Sequence, residues 1–384
     1  MYVEHNKFEI TIIGGGPAGS TAAVFLSEIG FDVCLVEKRK FPREVLCGEF
    51  LSKEVIEIIK ELNLYNEFLS LNPNYLKIFK LINDDGKEIS SDLNFPAYGL
   101  KRSTFDNFLL NKVKKEKIHI YQPCRVNEIL FNDNEYKLIC SNQNSEQIEI
   151  TSKNVIAAYG RQNILDKKLN RNFVNTKSHL NGVKFHLEKK YFKEFKKDEI
   201  KIFSGKDIYC GLNEVNDNII TVCFLENRKS NNLSPRENLI QFISESVNFK
   251  EIFDSDFEKS LLNSPIYGAG NIYFGKRKLV ENGIYMLGDA ARVIAPLVGD
   301  GIGMALQSAK LIANIFEKIK KNKISLSESY EFYHIRWNEL FAKRIRTAAL
   351  IQKLILMNYS RNLSIQLTKT FPQILSHLIQ ATRS

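Results

Sequence analysis

What this chain is short of bounds it first. Its six cysteines (Cys34, Cys47, Cys124, Cys140, Cys210 and Cys223) form no CxxC pair, and no histidine stands at zinc spacing from them. A disulfide framework and a structural metal site therefore have no support, and no metal is expected. No uninterrupted apolar run approaches the roughly 20 residues that cross a bilayer. The start, where Glu4 precedes a short strand pattern, lacks the form of a signal peptide, and a cytoplasmic location is the expectation. Concentrated positive charge is missing too. The formal net charge is +10, yet pairs such as Lys114-Lys115, Lys189-Lys190 and Lys320-Lys321 are scattered, mostly with acids nearby. A solvated surface accounts for that excess, and no nucleic-acid partner is expected. Repeats and low-complexity tracts are absent. What remains is an ordinary globular composition, 44% hydrophobic and 26% charged over 384 residues, enough for one large domain or two intimate ones.

The opening reads strand, glycine turn, helix, strand. "FEITII" runs to Ile13, "GGGPAG" spans Gly14 to Gly19, an apolar-periodic run reaches Ile29, and "FDVCLVE" ends at Glu37. Helical periodicity returns near Ser52 to Leu62 and from Arg102 to Val113, with strands at Tyr75 to Leu81 and Lys87 to Ser91 between them. A meander is expected from Ile118 to Ala158, its last strands at Ile148 to Thr151 and Val155 to Ala158. From about Asp166 to Gly275 alternating strand runs dominate, with a helix near Glu237 to Ser246. After Ser325 the chain reads as almost wholly helical.

Gly14-x-Gly16-x-x-Gly19 follows a strand and opens a helix, the context that makes this spacing a dinucleotide fingerprint. The first glycine permits the turn, the second lets a pyrophosphate approach the backbone, and the third allows helix and strand to pack closely. Phosphates fit the helix amino end, where unpaired NH groups point outward. Glu37, ending the second strand, is placed for ribose hydroxyls. A second segment, "GDAARVIAPLVGDGIGMAL" from Gly288 to Leu306, sets Asp289 after a strand and then Pro296, Gly299, Gly301 and Gly303 before a helix. Asp289 suits the hydroxyls of a ribityl chain, and the glycines would let backbone amides approach an isoalloxazine. FAD is the expected cofactor.

These segments, with "CGEF" (Cys47 to Phe50) and "LKRSTFDNFL" (Leu100 to Leu109), resemble the group A flavoprotein monooxygenases and the related geranylgeranyl reductases. The resemblance implies an α/β architecture: a Rossmann-like FAD-binding domain (1–72, 98–165 and 276–324) interleaved with a β-rich substrate domain (73–97 and 166–275), plus a helical C-terminal region (325–384). It also implies that Arg43 and Arg102 contact the cofactor, that Val126 lies beside the adenine, and that Cys47 and Gly48 face the flavin. Two departures stand out. Many hydroxylases carry Asp-Gly after the meander for FAD and NADPH, where this chain has Tyr159 before Gly160. Related halogenases carry paired tryptophans, and this chain has one, Trp337.

Three functional readings follow. The first is an NAD(P)H-dependent monooxygenase, with NADPH or NADH as electron donor, hydroxylating an apolar or aromatic small molecule. The second is an ene-reductase saturating an isoprenoid, in which Cys47 is either the proton donor or a small packing residue, and Tyr209 and Cys210 either line the substrate side or are ordinary strand residues. The third is a flavoprotein that binds RNA. His186 alternates with apolar neighbours and reads as a satisfied sheet histidine. In the tail, Leu350, Ile351, Leu354 and Ile355 make an apolar stripe after Arg344 and Arg346. The stripe packs on the protein itself or makes peripheral membrane contact.

Overall fold

The computed structural model describes residues 6–216, 218–229, 232–356, 380 and 383. Its strands, in chain order, are β1 (Lys7–Ile13), β2 (Val33–Val36), β3 (Phe50–Leu51), β4 (Asn74–Asn83), β5 (Glu88–Gly99), β6 (His119–Tyr121), β7 (Cys124–Asn132), β8 (Glu135–Asn142), β9 (Gln147–Ala157), β10 (Leu180–Glu188), β11 (Glu199–Gly205), β12 (Ile208–Asn216), β13 (Ile219–Asn227), β14 (Tyr267–Ala269), β15 (Val280–Glu281) and β16 (Ile284–Met286). The helices are α1 (Pro17–Glu28), α2 (Lys53–Glu61), α3 (Tyr65–Leu69), α4 (Arg102–Lys115), α5 (Ile164–Lys168), α6 (Pro235–Glu245), α7 (Phe257–Asn263), α8 (Gly301–Lys320) and α9 (Leu326–Leu356).

The first sheet runs β15-β16-β9-β1-β2-β6, with β7 and β8 attached through β9. From β16 to β6 neighbouring strands are parallel. Every residue of β2 is buried, as a strand covered on both faces requires. Helix α1 lies against α8 on this sheet and can approach closely because its first turns carry Ala18, Gly19, Ser20, Ala22 and Ala23. The two strands expected at Ile148 to Thr151 and Val155 to Ala158 are one. Strand β9 pairs with β8 over its first half and with β1 from Thr151 onward, so its polar centre keeps backbone partners and does not break.

The second sheet runs β14-β10-β13-β12-β11-β4-β5-β3, antiparallel except where β11 meets β4. One face, with Val183, Phe185, Leu212, Val222 and Phe224, packs under α6 and α7 through Leu239, Phe242 and Leu261. On the other face Gly182 meets Leu46, and Lys184 and His186 meet Glu49. The loop leaving the first sheet after β2 is thereby laid across the second. The end of α9 also covers this sheet: Ile351 and Ile355 join Tyr209, Leu225 and Val293 in one apolar cluster, while Leu350 is exposed. The tail stripe thus packs on its own protein through Ile351 and Ile355, and most of the expected helical region beyond residue 356 lies outside the described residues. Among the described residues no helix is long and apolar enough to cross a membrane.

The close packing of α1 gives a direct test. A Cβ at Gly19 would stand 1.8 Å from the Gly14 carbonyl oxygen, so Gly19→Ala forces α1 off β1 and costs more than about 2 kcal/mol. The expected outcome is a lower melting temperature and loss of FAD uptake, read by calorimetry and flavin absorbance.

Candidate cofactor and active site

One continuous cavity of about 660 Å³ runs between the two glycine-rich segments. At one end Gly14, Gly16, Glu37, Arg43 and Val126 line it; at the other, Cys47, Gly48, Asp289, Pro296, Gly299 and Gly301. Helix α1 opens at Pro17 behind Gly16, which has extended backbone and no side-chain cap, leaving first-turn NH groups open to an anion. Glu37 is buried and accepts from the backbone NH of Gly15 at 2.7 Å and of Arg39 at 2.8 Å. Those bonds fix its carboxylate on the cavity wall with lone pairs left for ribose hydroxyls.

The charge next to the turn is cationic. Arg102 forks onto buried Asp106, Nε to Oδ1 at 2.7 Å and NH2 to Oδ2 at 2.9 Å. Arg43 reaches the same carboxylate at 3.4 Å. Two guanidiniums thus share one acid. Burial pushes the Arg43 pKa down despite Asp106, and its Nε is buried without a partner. An NH2 of Arg43 would lie 3.5 Å from a Cβ at Gly16, so the surplus positive charge lies over the glycine turn.

At the far end Asp289 is half-exposed, with Arg161 Nε 4.0 Å from its carboxylate. Buried Arg277 fixes this corner: its NH1 donates to the Asp289 carbonyl at 3.0 Å and to the Arg161 carbonyl at 2.9 Å, and its guanidinium lies 3.9 Å from the centre of the Phe173 ring. Neither arginine was legible as a site residue, because their spacing in the chain matches no motif. Tyr159, where many hydroxylases have an acid, donates to Asp166 Oδ1 at 2.8 Å, and Arg171 bonds both. Burial holds the Tyr159 hydroxyl neutral by pushing its pKa well up.

The turn Cys47-Gly48 is held from below by Glu49, a non-glycine residue at φ +59. That conformation costs on the order of 1 kcal/mol. Four bonds to its buried carboxylate offset it: from Arg102 N at 2.9 Å, Lys184 Nζ at 2.7 Å, His186 Nε2 at 2.6 Å and Thr221 Oγ1 at 2.5 Å. Lys184, itself fully buried, also donates to Glu44 Oε2 at 2.7 Å. Glu44, Glu49 and His186 have the donor set of a cation site. The cation between those carboxylates is the Lys184 ammonium. His186 is a partnered sheet histidine, and Glu49 and Lys184 are the residues that sequence reasoning missed: "CGEF" displays the glutamate, but nothing in the chain says that a lysine 135 positions later meets it. The Cys47 sulfur, half-buried on the cavity wall, accepts from Glu49 N at 3.3 Å and interacts with Arg102.

Four sequence candidates, Gly19, Gly303, Tyr209 and Cys210, do not line the cavity. Gly19 serves helix packing. Gly303 faces away, with the Asp300 carboxylate and Ser52 where a side chain would stand. Tyr209 is buried in the apolar cluster, its hydroxyl 3.4 Å from Gln352 Oε1. The strand alternation that aims Cys210 at the opposite core aims Tyr209 at α9, which covers it. This corrects the expectation that Tyr209 lines the substrate side of the cavity. Trp337 packs on Phe341 within the helical region.

An extended dinucleotide fits this wall: free NH groups and surplus arginine where a pyrophosphate would lie, fixed carboxylates at Glu37 and Asp289 for hydroxyls, and open space over Gly48, where a Cβ would meet nothing within 4 Å. The buried network makes a pH prediction. Burial alone would raise the Glu49 pKa, but the bonds from His186 and Lys184 win and hold it at about 2. A depressed carboxylate contributes stability above its unfolded value, lost as pH falls toward 2. Glu49→Gln should therefore be less stable at pH 7 by on the order of 3 kcal/mol, with a shallower loss between pH 4.5 and 2, measured by denaturant unfolding across pH.

Comparison with known proteins agrees with this geometry. Digeranylgeranylglycerophospholipid reductase of Methanosarcina acetivorans is 24% identical over 365 residues, covering 90% of this chain and 84% of its own. The 1H-pyrrole-2-carbonyl-[peptidyl-carrier protein] chlorinase of Pseudomonas fluorescens is 21% identical, covering 84% of this chain and 78% of its own. Among solved structures, the myxobacterial chondrochloren halogenase CndH superposes with a TM-score of 0.79 at 18% identity, covering 97% of this chain and 91% of that one. A geranylgeranyl bacteriochlorophyll reductase-like protein of Thermoplasma acidophilum gives 0.75 at 18%, covering 99% and 92%. The family model described as FAD binding domain matches residues 7–332. With that match over most of its length, and a cavity built for an extended dinucleotide, the chain belongs to the FAD binding domain family and is an FAD-dependent oxidoreductase.

Proposed function

We propose that this oxidoreductase saturates carbon–carbon double bonds of a lipophilic, isoprenoid-type substrate, taking its electrons from NADPH or NADH. The observation that carries the reading is the Cys47 thiol, half-buried on the cavity wall beside Arg102, with apolar Leu46, Ile272 and Val293 next to it. An alkene needs a proton as well as a hydride, whereas hydroxylation needs no thiol. Support also comes from relatives that match about nine-tenths of the chain and act as digeranylgeranylglycerophospholipid reductases.

Bound FAD supplies the hydride. The chain's own residues hold it and finish the reaction: the glycine turn, Arg43 and Arg102 bind its phosphates, and Glu37 and Asp289 its hydroxyls. Leu46, Ile272 and Val293 exclude water from the substrate side. Cys47 gives its sulfur-bound proton to the second alkene carbon, and the thiolate left behind faces the Arg102 guanidinium until water returns the proton. Neutral Tyr159 leaves nicotinamide recognition to other groups, and Arg161, on the cavity wall beside Asp289, is the cation that serves there.

A second reading, hydroxylation of an apolar or aromatic compound, follows from the resemblance to the group A flavoprotein monooxygenases; a neighbour of the same fold, PqsL, is solved with 2-aminobenzoylacetate. Anaerobic incubation of the dithionite-reduced holoenzyme with a geranylgeranyl lipid separates the two. Two hydrogens gained per double bond without oxygen is the expected mass change; a product formed solely in air and carrying one new oxygen would overturn the reductase reading. Cys47→Ser should lower turnover on the order of 100-fold with FAD content unchanged.

A further inference from the structure

Behind the Pro296–Gly301 turn lies a buried polar cluster that the site above does not use. Asp300 is fully buried; its Oδ2 accepts from Arg344 NH1 at 2.8 Å, while its Oδ1 has no hydrogen bond. Glu54, on α2, is 1% exposed, and neither of its carboxylate oxygens has a partner; nor does the buried Ser52 hydroxyl. All three flank Gly303: a Cβ there would lie 2.5 Å from Asp300 Oδ1, 3.1 Å from Ser52 Oγ and 3.3 Å from Glu54 Cβ, so Asp300 and Glu54 pack against the same point of α8 and any side chain at Gly303 would displace them.

A buried carboxylate without partners costs several kcal/mol, far more than a native fold leaves uncompensated. Two carboxyls in such a place are stabilised when they hold a proton between them. The charged groups facing them are Arg344 from α9, which also donates to Gln307, and Arg383, whose NH1 is 3.6 Å from Asp300 and whose NH2 donates to the Val298 carbonyl at 2.5 Å. Burial raises the Asp300 pKa to about 6, against the pull of both arginines and with Glu54 adding to the rise. Asp300 stands between Gly299 and Gly301, both on the cavity wall, at the amino end of α8. Charge arriving there is felt by the pair.

We propose that Glu54 and Asp300 are a buried, proton-sharing acid pair that takes up a proton from solvent when negative charge arrives at the Gly299–Gly301 turn. The coupling rests on the reading that FAD occupies the cavity; the pair itself does not. In the balance, a reductant such as dithionite delivers two electrons to the bound cofactor, and solvent delivers a proton to a carboxylate of the pair, forming one O–H bond.

Two measurements decide it. In FAD-free protein labelled with ¹³C at its carboxyls, NMR titration should find one carboxyl titrating above the ordinary range, moved by more than about 1 pH unit in Glu54→Gln, which removes no hydrogen bond. Asp300→Asn should abolish it, and Glu61→Gln on the exposed side of α2 should leave it in place. Finding every carboxyl in the ordinary range would overturn the pair. In the holoenzyme, dithionite titration near pH 6 in weak buffer with an indicator dye should show more protons taken up per two electrons in wild type than in Glu54→Gln. Equal uptake would overturn the coupling. A chain that binds no FAD would refute the cofactor reading and the coupling together, while the titration of the free protein still judges the pair.

Discussion

The Lys184 ammonium, closed off from solvent between Glu44 and Glu49, is the contact on which the site depends. It comes from the second sheet, and both carboxylates come from the loop that leaves the first. Stripping an ammonium of water is expensive, and two carboxylates at hydrogen-bond distance are what make the burial tolerable. Without the ammonium, Glu44 and Glu49 would lose the cation between them. The loop therefore has one place to sit, and Cys47 and Gly48 are carried onto the cavity wall with it.

The same economy of charge shapes the rest of the cavity. Arg43 and Arg102 share Asp106, leaving a positive surplus over the glycine turn where α1 already presents free NH groups. At the opposite end, Arg277 is spent on two backbone carbonyls, so Asp289 keeps its carboxylate for a ligand. An anion is welcomed at one end and hydroxyls at the other. Behind the loop that forms the cavity wall, the second sheet presents a face that grades from polar, at His186 and Thr221 under Glu49, to apolar, at Leu225 and Tyr209 under α9.

Much of this was legible along the chain because it is written in short range. A glycine turn between a strand and a helix has a spacing set by local geometry, and so do the carboxylates that follow a strand, which is why Glu37 and Asp289 could be named. Tyr209 and Gly303 were misplaced for the complementary reason. Alternation tells which residues share a face of a strand, but not which face meets the cavity; α9, more than a hundred residues away, decided that for Tyr209. Gly303 continues the glycine spacing of its segment, yet the helical turn carries it past the wall to face Asp300 and Glu54.

The amino-acid sequence by itself determined the dinucleotide turn, the second glycine segment and the alternation of two kinds of sheet, since each depends on backbone constraints acting over a few residues. Tertiary structure alone decided which charges meet. Glu49 with Lys184, Arg43 with Asp106 and Asp300 with Arg344 join parts of the chain that no local periodicity connects, and burial makes their pairing matter, because away from water each charge must find its counterpart or change protonation to become neutral.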